Sequence, residues 1–375
     1  MDPKAVCCPT LACPARGQVG RGNIVIHRQK EQRYKWQPCG RTFAATSGTA
    51  FYRLRPAVDL VVMGVTLVAS GCPIQAIVIA FGLDERTGRA WVRRAGPPCE
   101  RVPQQLVVHP RDLGQVQADE LCVKQQGQRV WLASAIQVRP RLGLGGVIRT
   151  PRDRRVIALL VATILVATIR ACALGRPLVI AVDGVRRSVS AIQAACRAPI
   201  PTGRRGRPRL RPWNDLCVGQ VIKHRAGRRV VSATRRIVQG RAALGDRLIR
   251  QTQGHGGLNT ASLERMGATF RARLAALGRR TRALAHQTVT LAAGMDRVGT
   301  ISNFCTDHES LRLEGLIGGR KWLPRTPARA TGITDHRWSV QARRASRVPP
   351  PRCTPPTRRG RLSNEMKRLI AQWCS

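Results

Sequence analysis

Apolar residues recur along the chain with two different periods, which divide it into segments of different structure. Residues 51–105 hold two apolar segments, Leu60 to Ala69 and Ile74 to Phe81, separated by Gly71-Cys72-Pro73. An amphipathic segment from Asp84 to Ala95 follows them. Apolar positions at helical spacing between tight-turn signals predict three short helices in this region.

The pattern from about residue 106 to 320 is typical of strands and helices in a definite order. Val116 to Val123 and Arg129 to Val138 flank Gln125-Gln126-Gly127 and predict a hairpin, and Leu142 to Ile148 predicts a third strand. Further predicted elements are a helix over 151–173, a buried strand over 177–182, a strand over 229–238 and a long basic helix over 261–285. The order β-β-β-α-β predicts an α/β fold with a mixed sheet and a crossover.

Composition shifts along the chain predict four regions. Residues 1–50 are a small loop-rich module, 51–105 a helical domain, 106–320 the sheet-containing domain, and 321–375 an extended tail rich in Pro and Arg. The longest uncharged apolar run, Val156 to Ile169, has 14 residues. That length falls short of the ~18–20 residues that cross a bilayer, so we expect no membrane span.

The large positive net charge of the chain indicates a polyanionic partner. Among 375 residues, 65 are Lys or Arg and 20 are Asp or Glu, which gives a formal net charge of +45. Arg accounts for 58 of the cations, and its planar fork matches phosphate oxygens and guanine edges. Nucleic acid is therefore the expected partner, and a hydrophobic content of 43% excludes general disorder.

The cysteines and the first residues bear on the cellular compartment. The 13 cysteines are odd in number and scattered, and Met1-Asp2-Pro3-Lys4 leads into cysteines rather than into an apolar stretch. This pattern is typical of a reducing compartment and of a chain without a secretory signal. We expect a cytoplasmic location.

The N-terminal cysteines have spacing that resembles a zinc ribbon. The candidate zinc ligands are Cys8, Cys13 and Cys39. A second Cys-x2-Cys knuckle would place its first cysteine at position 36, where this chain has Trp36. Cys7 or His27 could complete the ligand set, and the alternative is a metal-free module with free thiols.

The helical region contains a candidate helix-turn-helix. Ile74 to Ala80 would be the first helix, Gly82-Leu83 the turn, and Asp84 to Arg94 the recognition helix. The residues expected to reach phosphates or bases are Arg86, Arg89, Arg93 and Arg94. The alternative is a helix whose arginines only form a solvated face.

A second DNA-binding candidate lies in the basic segment 204–209. Its sequence, Arg-Arg-Gly-Arg-Pro-Arg, resembles the core of an AT-hook, which lies extended in the narrow minor groove of A·T-rich DNA. The predicted contact residues are Arg204, Arg205, Arg207 and Arg209. The alternative is a basic loop that coats phosphates without reading the groove.

Three acidic residues at particular places carry the candidate chemistry. Asp119 lies within the first predicted strand, Asp183 just past the end of the buried strand, and Glu264 on the first turn of a late helix. Three converging carboxylates repel one another unless they hold divalent cations, and paired Mg²⁺ ions support in-line phosphodiester displacement. The alternative for each residue alone is an ordinary surface acid.

The order of these features resembles a bacterial insertion-sequence transposase of the DDE class with an RNase H-like catalytic core. The resemblance covers roughly residues 8–340. The matching phrases are Gly82-Leu83-Asp84-Glu85-Arg86-Thr87, Gln117-Ala118-Asp119-Glu120, Val182-Asp183-Gly184, Asn259-Thr260 with Leu263-Glu264-Arg265, Asn303-Phe304 with His308-x-Ser310-Leu311, and Arg325-Thr326-Pro327-Ala328. Each phrase is weak alone, and their order is specific.

The resemblance implies a function and its cofactors. Asp119, Asp183 and Glu264 would hold Mg²⁺ or Mn²⁺, with Zn²⁺ in the N-terminal module. The implied partners are double-stranded DNA, both element ends and target, and further copies of the chain assembled on DNA. Two alternatives stay open: a catalytically decayed DNA-binding copy acting only on terminal repeats, and a structural RNA-binding protein, which the scarcity of aromatic residues disfavours.

Overall fold

The computed structural model divides the chain into two compact units, Met1–Met63 with Val340–Ser375, and Gly64–Ser339. The residues that the structure describes are 2–8, 17–38, 40–47, 49, 52, 54, 56–102, 106–149, 167–174, 177–184, 186–200, 209–227, 229–278, 281, 284–317, 320–340 and 363–373.

The first unit contains a small antiparallel sheet of three strands. These are β1 (Ile24–Arg28), β2 (Arg33–Trp36) and β3 (Thr42–Ala44). Its core consists of Cys8, Ile24, Tyr34, Trp36 and Phe43. Trp36 is fully buried there, so it is the centre of the packing in this unit rather than an open ligand position.

The predicted zinc ligands are only partly within the described chain. Cys8 is buried beside the aromatic core, and Cys13 and Cys39 lie outside the described residues. The zinc hypothesis therefore stays a prediction.

The three predicted helices of the 51–105 region are present. They are α1 (Val58–Ala69), α2 (Ile74–Phe81) and α3 (Glu85–Val102). Gly82 ends α2 in the left-handed conformation, with φ 60°, as the tight turn requires. A Cβ on Gly88 would lie 3.2 Å from Val78 Cγ2, so the glycine in α3 allows the two helices to approach closely.

A mixed sheet of six strands forms the centre of the second unit. Its strands are β4 (Gln115–Gln125), β5 (Gln128–Gln137), β6 (Leu142–Arg149), β7 (Leu178–Asp183), β10 (Leu216–Ala226) and β11 (Arg229–Gln239), in the spatial order β11-β10-β7-β4-β5-β6. β7 pairs in parallel with both β4 and β10, and the other pairs are antiparallel. The predicted α/β class, hairpin and third strand are confirmed.

Two short hairpins accompany the central sheet. One joins β8 (Arg197–Pro199) to β9 (Leu210–Pro212), and the other joins β12 (Leu313–Ile317) to β13 (Arg320–Leu323). Both are antiparallel.

Further helices follow the first three. In chain order they are α4 (Arg186–Ala195), α5 (Ala242–Gln253), α6 (Ala261–Arg273), α7 (Thr288–Phe304) and α8 (Pro327–Ala330), with α9 (Asn364–Trp373) in the first unit. Leu244, Leu248 and Ile249 of α5 pack against Val179 and Ala181 of β7. The alternate positions of β7 are also buried, as expected of a strand covered on both faces.

Helices α6 and α7 pack on the other half of the same sheet face. Phe270 of α6 and Met295 and Val298 of α7 belong to one apolar cluster with Leu132 of β5 and Ile148 of β6. The last turns of α3 also contact α7, because the Thr300 hydroxyl donates to the Cys99 carbonyl at 3.0 Å.

The predicted long helix over 261–285 is wrong. The helix ends at Arg273, because Leu274 takes an extended conformation with φ −122° and ψ 100°, and only a short 3₁₀ turn, Ala275–Leu277, follows. Gly278 then continues the extended backbone, and the next helix begins at Thr288. The segment predicted as an extended tail contains β13, α8 and α9 in its described part.

The helices in the described part of the chain are all too short or too polar to cross a lipid bilayer.

The buried position of Trp36 yields a test of the zinc hypothesis. Trp36→Cys creates the Cys-x2-Cys spacing with Cys39, but it also removes a fully buried indole. Loss of that packing costs about 3–5 kcal/mol, so hydrogen exchange over residues 17–47 should speed up, with or without added zinc. Trp322→Cys, at a partly exposed site in the other unit, is the control and should leave these residues protected. Recovery of protection on adding zinc would support a lost ligand at position 36.

Candidate active site

The parallel pairing of β4 with β7 brings two of the predicted acids side by side. The printed register runs from Gln115 opposite Val179 to Ala118 opposite Val182. Asp119 and Asp183 each come directly after that last pair. Residues opposite each other on neighbouring strands share a face, so both carboxylates lie on the face that α5, α6 and α7 cover.

Two amide side chains, of which Gln117 is fully buried, fix the start of α6 against the sheet. Gln117, two residues before Asp119, accepts a hydrogen bond from the Leu263 backbone N–H at 2.9 Å, and its own amide donates to Asn259 at 3.3 Å. The Asn259 side chain in turn accepts from the Ala261 N–H at 3.1 Å. This network fixes the first turn of α6, which carries Glu264, next to β4.

All three predicted acids line one cavity. The cavity has a volume of about 560 Å³ and includes Asp119, Asp183 and Glu264 in its wall. Lys223 and Arg225 of β10 contribute positive charge to it. The structure therefore brings together the three residues that the sequence singles out as catalytic.

Burial and like charge act on Asp119. Burial, and after it the negative charge of Asp183, raise the pKa of Asp119 to about 6. A hydrogen bond from the Glu120 N–H at 2.8 Å and the charge of Lys223 oppose this shift without cancelling it. The site thus contains negative charge that the surrounding protein compensates only in part.

Glu264 has a different environment. Burial acts to raise its pKa, but hydrogen bonds from Lys223 and Thr260 outweigh that effect and hold the pKa below its usual value. The Thr260 hydroxyl donates to Glu264 Oε1 at 2.8 Å, and the Lys223 ammonium contacts the same oxygen. Glu264 is therefore an ionised carboxylate whose charge Lys223 neutralises.

The donor set determines whether a metal fits. Carboxylate oxygens are the ligands that Mg²⁺ prefers, and the raised pKa of Asp119 marks a place where a cation would relieve repulsion. Among the described side chains, no group of three or more His, Cys, Asp and Glu is arranged to hold a metal ion as it stands. The carboxylates of Asp119 and Asp183 are of the kind that a divalent cation needs. The Glu264 carboxylate would first have to exchange its contact with Lys223 for one with the cation.

The predicted DNA-binding arginines of α3 all lie at the surface. Arg86, Arg89, Arg93 and Arg94 are exposed, and Arg89 pairs with Glu85 one turn earlier at 2.6 Å. Of the predicted AT-hook, Arg204, Arg205 and Arg207 lie outside the described residues. Arg209 is exposed, directly before β9.

A basic arm extends past the carboxylates. Pairing of β10 with β7 ends at Val221 opposite Asp183, but β10 continues to Ala226 and pairs with β11 in a hairpin. We define the basic arm as residues 222–234. The chain has no acid between residues 216 and 245, and the arm exposes Arg225 and Arg229. Its position next to Asp183 places positive charge at the edge of the cavity.

The chain matches no protein-family model and no curated protein sequence.

Sequence reasoning missed two residues that shape the site. Lys223 stands in a strand that the sequence did not predict, because half of β10 is polar and extends past β7, where it pairs only with β11. Nothing in the sequence distinguishes Gln117 except its place near Asp119, although its side chain is fully buried. A fully buried glutamine must find hydrogen-bond partners, and here they set the position of the helix.

The repulsion at Asp119 gives a stability prediction. The folded pKa of about 6 exceeds the ordinary value of 3.8, so the contribution of this carboxyl to stability is complete below pH 3.8 and is lost as pH rises through 6. Asp119→Asn should therefore raise the free energy of unfolding by about 1–3 kcal/mol at pH 7.5 in EDTA, and by much less at pH 4.

Denaturant unfolding at several pH values measures this difference. Asp246→Asn, which removes an exposed acid of α5, is the matched control and should change little. A variant that is less stable than the native chain from pH 4 to pH 8 would contradict the repulsion.

Proposed function

We propose that this chain is a DNA transposase of the DDE class, which cleaves phosphodiester bonds at element ends and joins them to target DNA. The observation that carries the proposal is the convergence of Asp119, Asp183 and Glu264 on one cavity. One acid within a strand, a second at the end of the neighbouring parallel strand and a third on a helix are the arrangement that the sequence resemblance implies.

The order of strands supports an RNase H-like assignment for the catalytic domain. Three antiparallel strands, β6, β5 and β4, are followed in the sheet by the parallel β7 and β10. Asp119 lies on the first strand of this set in chain order, and Asp183 ends the fourth. β11 adds an edge strand, so the basic arm is an extension of that core.

The residues have separate tasks in the proposed reaction. Asp119, Asp183 and Glu264 would hold the divalent cations, and Lys223 keeps Glu264 ionised and oriented in their absence. Bound Mg²⁺ supplies activation of the attacking oxygen and stabilisation of the leaving oxygen. Water would attack the phosphorus at the element end and displace the 3′-oxygen, which leaves as a 3′-hydroxyl. That hydroxyl would then attack a phosphorus of the target strand and displace the target's own 3′-oxygen.

The basic surfaces support duplex DNA as the substrate. The arginines of α3 are exposed for reading terminal repeats, and the basic arm lies where a strand would enter the carboxylate cavity. A catalytically decayed copy that only binds terminal repeats is the second candidate. The contact between Lys223 and Glu264 favours it, because one proposed ligand is already neutralised.

Cleavage by acid-to-amide variants separates the two candidates. Asp119→Asn, Asp183→Asn and Glu264→Gln should each lower Mg²⁺-dependent nicking of an end-containing duplex by at least about 10³-fold, since each removes a ligand charge. Duplex affinity should stay within about threefold, because these positions do not contact the grooves. The control is Asp246→Asn, which should nick like the native chain. Absence of nicking by the native chain itself, with binding intact, would favour the decayed copy.

The basic arm should contribute to the salt dependence of duplex binding. Each neutralised phosphate adds about 0.9 to the slope of log affinity against log salt, so Arg225→Gln with Arg229→Gln should reduce the slope by up to about 2. Arg247→Gln with Arg250→Gln removes the same charge from the exposed face of α5 and should have a smaller effect. Equal slopes for the two double variants would mean that the arm has no special contact with DNA.

A further inference from the structure

A second cavity lies on the other side of α6. Its volume is about 600 Å³, and β5, β6, α6 and α7 form its walls together with the chain after α7. Ser134 and Phe270 line both this cavity and the carboxylate cavity, so only one helix separates them. A volume of this size is suited to a small organic ligand rather than to a few waters.

The mouth of this second cavity is strongly basic. Arg141, Arg265 and Arg273 line it, and among the described residues none of the three forms an ion pair with a carboxylate. Two acids also line it: Asp296 and Asp307, of which Asp307 pairs with Arg337 at 2.8 Å. Cations without acidic partners inside a concave surface create a positive potential that favours an anion.

Two of these arginines are partly buried at a cost. Burial lowers the pKa of Arg141, which the charge of Arg265 lowers further, and burial also lowers the pKa of Arg273. Their described partners are hydroxyls: Arg141 donates to Ser262, and Arg273 donates to Ser302 at 3.2 Å. Neutral hydroxyls do not offset the cost of removing a guanidinium from water, whereas an anionic ligand would.

His308 adds a neutral donor to the same mouth. Burial lowers its pKa, and the charges of Arg141 and Arg265 lower it further, so the ring is neutral near pH 7. Its Nδ1 accepts from the Ser310 backbone N–H at 3.3 Å, which leaves the proton on Nε2. The ring can therefore donate one hydrogen bond to a ligand oxygen.

The inner part of the second cavity is apolar. Met266 and Phe270 of α6, Met295 and Val298 of α7 and Ile148 of β6 line it, and all of these except Met266 are buried. A thioether and an aromatic ring are suited to contact with a flat conjugated group. The cavity thus combines an apolar interior with an anion-binding mouth.

We propose that this cavity binds one nucleoside monophosphate unit, with its phosphate at Arg141, Arg265 and His308 and its base against Met266 and Phe270. The unit has two possible sources: a free nucleotide, or one nucleotide of a DNA strand that continues into the carboxylate cavity. The second source rests on the proposed transposase function, and the first does not.

Calorimetry on the full chain in EDTA tests the site. The probes are deoxyadenosine monophosphate, deoxyadenosine and inorganic phosphate. The monophosphate should bind at least about tenfold more tightly than either part alone, because each part uses half of the cavity. Equal affinity for inorganic phosphate and the monophosphate would overturn the base subsite, and no heat of binding at millimolar nucleotide would overturn the whole proposal.

Two variants locate the binding. Arg265→Gln, at an exposed helical position, should weaken monophosphate binding by about tenfold, since one charge-assisted hydrogen bond is lost. Arg247→Gln, an exposed arginine of α5, is the matched control and should change affinity less than twofold. Equal weakening by both variants would indicate general attraction to positive charge and would contradict a specific site.

A cavity-filling variant tests the apolar interior without altering charge. Gly299 of α7 lines the cavity, and a Cβ there would make only an ordinary contact, 3.7 Å from Phe270 Cζ. Gly299→Leu should preserve the helix and lower monophosphate affinity by at least about tenfold, while inorganic phosphate binding is unchanged. Unchanged monophosphate affinity in a folded Gly299→Leu chain would refute binding of the base in this cavity.

The two sources are distinguished with a single-stranded oligonucleotide. If the nucleotide belongs to a strand, a short oligonucleotide should displace the monophosphate and bind more tightly than it does. Oligonucleotide affinity that falls in Gly299→Leu as monophosphate affinity does supports a strand, and failure of the oligonucleotide to displace the monophosphate from the native chain supports a free nucleotide. Monophosphate binding is measured in EDTA, where the carboxylates hold no divalent cation, so this proposal can stand even if the catalytic assignment fails.

Discussion

The parallel pairing of β4 with β7 is the constraint on which the proposed chemistry depends. Because Ala118 pairs with Val182, Asp119 and Asp183 must follow as neighbours, and their charges repel in a partly buried place. Lys223 contacts the third acid, Glu264, and its positive charge also acts on Asp119. That charge lowers the pKa of Asp119 without cancelling the effects of burial and of Asp183.

Helix α6 links the two cavities through its two faces. Glu264 and Gly267 line the carboxylate cavity. The residues on the other face line the second cavity: Ser262, Arg265 and Met266. This division follows from the helical period of 3.6 residues. Because Gln117 fixes the first turn of this helix, a change in that hydrogen bond would shift both sites together. The spacing between the sites is therefore a property of one element rather than of flexible loops.

Much of the fold follows from local pattern, and the failures have physical causes. The strands around Asp119 and Asp183 were predictable because their apolar residues alternate or run continuously. β10 was missed because Lys223 and Arg225 occupy the half that extends past β7 and pairs only with β11, where the strand is largely exposed and carries no apolar pattern. The helix over 261–285 was overextended because its basic and apolar residues keep a helical period beyond Leu274, where the backbone becomes extended.

The carboxylates of the site were predictable as residue types, whereas the polar groups that position them were not. Gln117 and Lys223 act across 146 and 41 residues of sequence separation, on Leu263 and Glu264 respectively. No local pattern encodes such pairs, because only the completed sheet brings β4, β10 and α6 together. The same holds for Arg141 and Arg265: each is one among many arginines in the sequence, and the cavity alone makes them distinctive. In a chain this basic, the informative arginines are those that line a cavity without forming an ion pair with a described carboxylate.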